Sequence, residues 1–227
     1  MKYHTILLDA DDTLFDFRAA ERQALTEILH EIGVNGSETD IEAYSAFNDS
    51  LWRKFERGET TKPEIYKNRF QFLLDRFSLT GDPIELNQAY LKKIADCSVL
   101  FDDAQTFVET LSKTFTLAIV TNGAEYAQKR RFSRSSIKPY IKYLFVSEEI
   151  GVGKPDIRYF EAVFDEMAIT DKGKVLIVGD SLASDILGGL TAGIDTCWFN
   201  PDGKVNHTDI CPTYEIRALS DLYEYLE

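Results

Sequence analysis

The stretch LLDADDTLFDF, from Leu7 to Phe17, decides the fold. A short apolar run ends there, and aspartates follow at Asp9, Asp11, Asp12 and Asp16. Carboxylates crowded at the end of a buried strand repel one another, so a cation or bound protons must hold them together. The stretch therefore predicts a buried strand that opens into a charged site.

The bulk composition limits the classes of partner. The chain has 227 residues, of which 44% are hydrophobic, so it can bury a substantial core. Its 25 basic and 38 acidic side chains give a formal net charge of −13. Phosphate backbones and anionic lipid repel such a chain, which argues against a nucleic-acid polymer or a membrane as partner. A small phosphorylated substrate remains compatible, because a local cation can override the distant field.

The cysteines and the first residues indicate a cytoplasmic location. Cys97, Cys197 and Cys211 form no CxxC pair, which is typical of reduced thiols rather than of a disulfide framework. The N-terminal MKYHTILLDADD reaches acidic residues after one short apolar run, so we do not interpret it as a signal or transit peptide.

Near-continuous apolar runs predict strands that are buried on both faces, as in a parallel sheet. Four are clear and the last is weaker: Thr5–Asp9, Phe115–Asn122, Ile141–Ser147, Lys174–Asp180 and Asp195–Asn200. Helical patterns separate them, and Gly193 is placed as a helix stop. Strands that alternate with helices predict an α/β fold with a Rossmann-like, doubly wound parallel sheet.

The segment after the first strand follows a different pattern. From residue 17 to residue 96 the sequence favours helices, with breaks at Gly33–Gly36, at GETTKP and at TGDP. We therefore predict an α/β catalytic core at residues 1–16 and 97–227. An all-helical cap, residues 17–96, is inserted into it as a lid.

Polar groups follow the predicted strands where a sheet of this kind binds its ligands. Asp9 and Asp11 follow the first strand, Thr121-Asn122-Gly123 ends the second, Lys154 lies in GKPD after the third, and Asp180 and Asp185 follow the fourth. Mg²⁺ prefers oxygen ligands with few protein carboxylates, which this set could provide. An ionised Asp beside such a metal is a competent nucleophile toward phosphorus, giving an aspartyl-phosphate.

The motifs DADDT, TNG, GKPD and GDSLASD, in this order, resemble the haloacid dehalogenase-like hydrolase superfamily. The helical block lies where that family inserts its C1-type cap. The resemblance implies that Asp9 is the nucleophile and that Asp11 is the general acid and then the base. It assigns the phosphoryl oxygens to Thr121, Asn122 and Lys154. It places Mg²⁺ on Asp9, on the backbone carbonyl of Asp11 and on Asp180, with Asp185 behind Asp180 or bound to the metal through water. Asp12 departs from the pattern, because many relatives have glycine there.

A closer resemblance concerns the substrate. LFDF, LWRKFERGETT, SEEIGVGKPD and GDSLASDILGG with CWFN are similar to bacterial house-cleaning 5′-nucleotidases. This implies a phosphatase of pyrimidine or modified nucleoside 5′-monophosphates. We expect a monomer or a homodimer. Phe17, Tyr44 and Trp52 could stack on a base, and Asn48 or Arg53 could bond its edge.

Other interpretations stay open from the sequence. A phosphatase or phosphomutase of small sugar phosphates would use the same parts, and a 2-haloacid dehalogenase-type hydrolase would use the same nucleophile on carbon. A phosphate or nucleotide sensor without turnover is a non-enzymatic alternative. Trp52 and Phe55 have the spacing of helix-core residues. The basic run Lys129–Arg131 is interpreted as a solvated helix face.

Overall fold

A parallel β-sheet organises the larger part of the chain in the computed structural model, which describes residues 2–226. Within that range the strands are β1 (Thr5–Leu8), β2 (Thr116–Thr121), β3 (Tyr143–Val146), β4 (Val175–Gly179), β5 (Asp195–Phe199) and β6 (Tyr214–Ile216). Their order is β3-β2-β1-β4-β5-β6, and every neighbouring pair is parallel. The predicted Rossmann-like α/β fold is confirmed.

Helices connect the strands and form the segment between β1 and β2. They are α1 (Phe17–Glu31), α2 (Glu38–Glu56), α3 (Lys62–Arg76), α4 (Pro83–Asp96), α5 (Ala104–Ser112), α6 (Glu125–Arg134), α7 (Ser147–Ile150), α8 (Ile157–Glu166) and α9 (Leu187–Ala192). A π-helical turn, Leu182–Ile186, precedes α9, and 3₁₀ turns lie at Lys138–Tyr140, Lys172–Lys174 and Leu219–Tyr225. No helix in residues 2–226 combines the length and the apolar character needed to cross a membrane.

The chain divides into two units. One comprises the residues up to Asp16 together with those from Ser98 onward, and the other is Phe17–Cys97. The first contains the sheet and the second contains α1 to α4.

The sheet unit is buried on both faces because consecutive residues of a strand point in opposite directions. In β1, Ile6 and Leu8 lie in one apolar cluster and Leu7 lies in the other. The chain leaves β1 toward β2 and β3, and then returns to pair β4 with the opposite edge of β1. The carboxyl ends of β1 and β4 are therefore neighbours at the point where the strand order reverses, which is where such sheets bind ligands.

Local signals at helix ends agree with the structure in several places. Gly193 has φ of 77° and ends α9, as predicted, because glycine adopts the left-handed region without a steric penalty. Asp156 caps α8 by accepting a hydrogen bond from the backbone N–H of Arg158. The edge strand β6 and the π-helical turn at Leu182–Ile186 were not predicted.

Polar side chains form a buried network inside the helical unit. The Glu21 carboxylate accepts hydrogen bonds from Ser45 Oγ at 2.5 Å and from Asn48 Nδ2 at 3.0 Å. Arg69 donates from Nη1 to Asn48 Oδ1 at 3.5 Å and from Nε to Asn87 Oδ1 at 2.9 Å. Burial raises the pKa of Glu21 above its ordinary value. Asn48 thus lies between an acid and a base contributed by α1 and α3.

Asn48→Ala is expected to lower the free energy of unfolding by about 1 to 3 kcal/mol, because it removes one hydrogen bond from the buried Glu21 carboxylate and one from the buried Arg69 guanidinium. Urea denaturation followed by circular dichroism measures the change. Asn68→Ala is the matched control, since Asn68 is exposed on α3. Unchanged stability in Asn48→Ala would contradict a packing role and favour the role in base recognition.

Candidate active site

The neighbouring ends of β1 and β4 bring carboxylates together that are far apart in sequence. Asp9 directly follows β1, and Asp180 directly follows β4. Asp185 lies in the π-helical turn that comes next. One carboxylate oxygen from each of the three lies within 4.8 Å of the other two. Asp9 and Asp185 are buried, while Asp180 is half-buried and reachable from solvent.

Lys154 supplies positive charge to this group, and its side chain is buried. Its ammonium donates to Asp9 Oδ1 at 2.6 Å and to Asp185 Oδ1 at 2.6 Å. It also donates to the backbone carbonyl oxygen of Val120, near the end of β2, at 2.8 Å. An ammonium has three N–H donors, so these contacts use all of them. Lys154 can therefore contact a phosphoryl oxygen only if one of these hydrogen bonds is exchanged.

Burial and mutual repulsion set the protonation of the group. Burial raises the pKa of Asp9 to about 7, although the Lys154 ammonium opposes the shift. Burial, followed by the negative charges of Asp9 and Asp185, raises the pKa of Asp180 well above its ordinary value. Burial lowers the pKa of Lys154, but Asp185 and Asp9 more than offset this, and the net shift is upward. The carboxylates thus resist full ionisation without further positive charge.

These residues fit a divalent cation. Three carboxylates against one ammonium leave two negative charges uncompensated within the group when all are ionised. The donor atoms are oxygens, which Mg²⁺ prefers, and the half-buried Asp180 leaves room for retained water. Asp9 and Asp180 belong to the predicted metal set, and the same group includes Asp185. The predicted contribution of Asp11 was its backbone carbonyl, and that assignment stays a prediction.

Gly179 allows Asp185 to reach this position. A Cβ atom on Gly179 would lie 2.3 Å from Asp185 Cγ, closer than real Cβ atoms approach any group. The Asp185 carboxylate also accepts a hydrogen bond from the backbone N–H of Ser181 at 3.1 Å. Any side chain at Gly179 would therefore displace a carboxylate that orients Lys154.

Thr121 and Asn122 of the predicted phosphate site have different surroundings. Thr121 is buried, and its Oγ1 accepts a hydrogen bond from the backbone N–H of Gly123 at 3.0 Å. The Asn122 side chain bonds the main chain of Lys154, donating to its carbonyl at 2.8 Å and accepting from its N–H at 2.9 Å. The Asn122 side chain thus fixes the loop that carries Lys154. Phosphate binding by either residue stays a prediction.

Asp11 makes contacts that the sequence did not reveal. Its Oδ1 pairs with Arg131 Nη1, and its Oδ2 accepts a hydrogen bond from Gln128 Nε2. Arg131 is completely buried, so its interpretation as part of a solvated face is wrong, although Lys129 and Arg130 are exposed. Gln128 and Arg131 share one face of α6 because they are three residues apart. The three-residue spacing of Gln128 and Arg131, just after the TNG motif, was the sequence signal that could have indicated their shared contact with Asp11.

Asp12 occupies a backbone conformation that explains the departure from the family pattern. Its φ is 57°, in the left-handed region that glycine adopts most readily. Aspartate is among the few other residues that visit this region routinely. The turn closes with hydrogen bonds from the backbone N–H of Phe15 to Ala10 O at 2.8 Å and from that of Asp12 to Phe15 O at 2.8 Å. Asp12 thus preserves the turn that places Asp9 and Asp11.

The predicted base-binding residues lie in the helical unit and differ in exposure. Tyr44 is buried against Phe70 and Tyr90, and its hydroxyl has no hydrogen-bond partner within residues 2–226. Asn48 is buried in the network with Glu21 described above. The less buried members are Phe17, Trp52 and Arg53. Trp52 packs edge-on against Phe55, with ring centroids 5.7 Å apart. A role of any of them in substrate binding stays a prediction.

The sheet order and the acid-rich edge define a doubly wound α/β protein with a candidate catalytic carboxylate at the end of its first strand. A family described as haloacid dehalogenase-like hydrolase matches residues 3–193. The chain belongs to this family, which confirms the expectation from its four motifs.

Relatives and a solved structure match along the whole chain. It is 40% identical to the putative HAD-hydrolase YfnB of Bacillus subtilis, covering 99% of this chain and 96% of that protein. A crystal structure of YfnB bound to magnesium superposes with a TM-score of 0.95, covering 100% of both chains. The chain is 37% identical to the pyrimidine 5′-nucleotidase PynA of Streptococcus pneumoniae (100% and 96% covered). It is 31% identical to the pyrimidine 5′-nucleotidase YjjG of Escherichia coli (100% and 99% covered).

Proposed function

We propose that the protein is a Mg²⁺-dependent phosphomonoester hydrolase that acts on pyrimidine or modified nucleoside 5′-monophosphates through an aspartyl-phosphate. The observation that carries the proposal is the buried Asp9 carboxylate, held by Lys154 and accompanied by Asp180 and Asp185. Family membership supports the hydrolase class, and the names of PynA and YjjG support the nucleotide substrate.

Asp9 is the nucleophile in this proposal. One of its oxygens attacks phosphorus, and the bond between phosphorus and the 5′ oxygen of the nucleoside breaks. Asp11 gives a proton to the departing oxygen, which leaves as an alcohol. Lys154 orients Asp9 and favours its ionised form, since an ammonium at 2.6 Å stabilises the carboxylate.

The second half of the reaction releases inorganic phosphate. Water attacks the phosphorus of the aspartyl-phosphate while Asp11 takes its proton, and the bond to the Asp9 oxygen breaks. Asp9 is then restored as a carboxylate, and Asp11 again carries the proton. Thr121 Oγ1 already accepts from Gly123, so its hydroxyl hydrogen can be donated to a phosphoryl oxygen.

Mg²⁺ would be held by Asp9 and Asp180, with Asp185 behind them and the Asp11 carbonyl as a further ligand. When bound it would neutralise phosphoryl charge and the charge of the carboxylate group. We propose that the helical unit supplies recognition of the base through Phe17, Trp52 and Arg53, with Tyr44 and Asn48 as the buried members of the predicted set.

Asp9→Asn is expected to reduce hydrolysis of uridine 5′-monophosphate and of p-nitrophenyl phosphate to background, because an amide cannot form the acyl phosphate. Phosphate release is measured at saturating MgCl₂, and circular dichroism checks the fold. Asp202→Asn is the matched control, since the Asp202 side chain is 69% exposed. Near-normal turnover by Asp9→Asn would refute the mechanism.

Removal of metal is expected to abolish turnover, and MgCl₂ should restore it. Asp180→Asn should weaken Mg²⁺ binding by at least about 10- to 100-fold, the loss that changes around metal ligands commonly cause. Isothermal titration calorimetry with MgCl₂ measures this loss independently of activity. Full turnover in excess chelator, or equal Mg²⁺ affinity in the variant, would contradict the assignment.

The base preference predicts a ranking of substrates. Uridine and thymidine 5′-monophosphates should exceed ribose 5-phosphate and glucose 6-phosphate in kcat/KM by at least about tenfold, which corresponds to about 1.4 kcal/mol of transition-state binding. A phosphate-release assay with each compound measures the ranking. Equal values for nucleotides and sugar phosphates would overturn the nucleotidase assignment. Conversion of a sugar phosphate without phosphate release would indicate a phosphomutase.

A further inference from the structure

We propose that Arg131 and Gln128 on α6 are positioning residues that aim the Asp11 carboxyl group at the departing oxygen of the substrate. The inference rests on the proposed function, because it deepens the role given there to Asp11. It assigns a task to two buried side chains that neither the motifs nor the nucleotidase resemblance assign.

The first support is that side chains of a single helix, α6, hold both carboxylate oxygens of Asp11. Arg131 Nη1 contacts Oδ1, and Gln128 Nε2 contacts Oδ2. The Asp11 side chain remains 26% exposed, whereas the Arg131 side chain is fully buried. The buried donors therefore hold both oxygens of the carboxyl group, while part of the Asp11 side chain remains reachable from solvent.

The second support is that Arg131 is itself held in place. The Arg131 guanidinium lies over the Phe15 ring, 4.5 Å from its centroid, and Ser98 Oγ donates to the Arg131 carbonyl at 3.1 Å. Gln128 is buried on the same helix face. A guanidinium packed on an aromatic ring loses most of its freedom, so it can hold its partner in one orientation.

The third support is the space reserved for Gln128 by Gly123. A Cβ atom at Gly123 would lie 2.0 Å from Gln128 Nε2. The last residue of the TNG motif therefore leaves the room that the amide needs to reach Asp11. The sequence places Gly123 only at the end of the second predicted strand, and the structure connects it with Asp11 of the first motif.

An amide suits a group that alternates between an acid and a base. Gln128 donates through Nε2 when Asp11 is a carboxylate, and through Oε1 it can accept from a protonated Asp11 after the amide rotates. A second cation at this position could donate only. Arg131 with Gln128 can thus hold Asp11 in both states of the reaction, whereas two cations would hold only one.

The test compares leaving groups. The value of kcat/KM reports the steps up to departure of the alcohol, and an aryl oxide such as p-nitrophenolate leaves with little need of a proton. Arg131→Met should lower kcat/KM for uridine 5′-monophosphate by on the order of 100-fold, the loss that a misplacement of about 1 Å can cause. The loss for p-nitrophenyl phosphate should be at least about tenfold smaller.

Gln128→Leu is a second variant that tests the proposal if Arg131→Met fails to fold. It replaces the amide with an apolar side chain of similar size. It should show the same dependence on leaving group with a smaller loss, since Arg131 remains. Arg131→Lys should recover part of the loss by restoring a donor and its charge. Arg130→Met is the control, because it removes an exposed charge from the neighbouring position of α6.

Equal losses of kcat/KM for both substrates would overturn the proposal and reduce Arg131 to a structural residue. A gain of kcat/KM in Arg131→Met would also overturn it, since the pair would then hold Asp11 away from the substrate. Both outcomes leave the wild-type reaction and its dependence on Asp9 intact. They are therefore distinguishable from failure of the proposed function, in which Asp9→Asn keeps its turnover.

Discussion

The hydrogen bonds of the Lys154 ammonium are the interaction on which the candidate site depends. They join Asp9 after β1, Asp185 in the π-helical turn, and the Val120 carbonyl of β2. Each acceptor comes from a different part of the sheet's carboxyl edge, so the ammonium can be satisfied only when strand order and loop positions are correct. A buried ammonium without these partners would be strongly unfavourable. The position of the Asp9 carboxylate therefore depends, through the Lys154 ammonium, on correct folding of the sheet.

Much of this arrangement could be predicted from sequence, because strand burial and loop chemistry are local properties. The apolar runs gave β1 to β5, and the acids that follow β1 and β4 meet because parallel strands end at one edge. β6 was missed, since Tyr214–Ile216 is short and lacks a continuous apolar run. The π-helical turn was missed because its periodicity differs little from that of an α-helix over five residues.

The burial of charged and polar side chains was the part that local patterns could not predict. Arg131 belongs to a basic run whose other members are exposed, and its contacts with Asp11 and Phe15, more than a hundred positions earlier, account for its burial. The burial of Asn48 likewise depends on Glu21 and Arg69, which hydrogen-bond to it from two other helices. Such positions depend on long-range pairing, because a buried polar group is stable only where a partner from another element meets it.

The aspartates of LLDADDTLFDF show how one turn gives neighbouring acids different tasks. Asp9 points into the buried charge group, Asp11 is held by α6, and Asp12 takes the left-handed position that closes the turn. Asp12 also acts at a distance, since its negative charge contributes to the raised pKa of Asp180. The negative charge of Asp12 increases the repulsion among the carboxylates of Asp9, Asp180 and Asp185 when no cation is bound. The same charge would increase the attraction of these carboxylates for a divalent cation. A glycine at this position would give the same turn without this contribution to the raised pKa of Asp180.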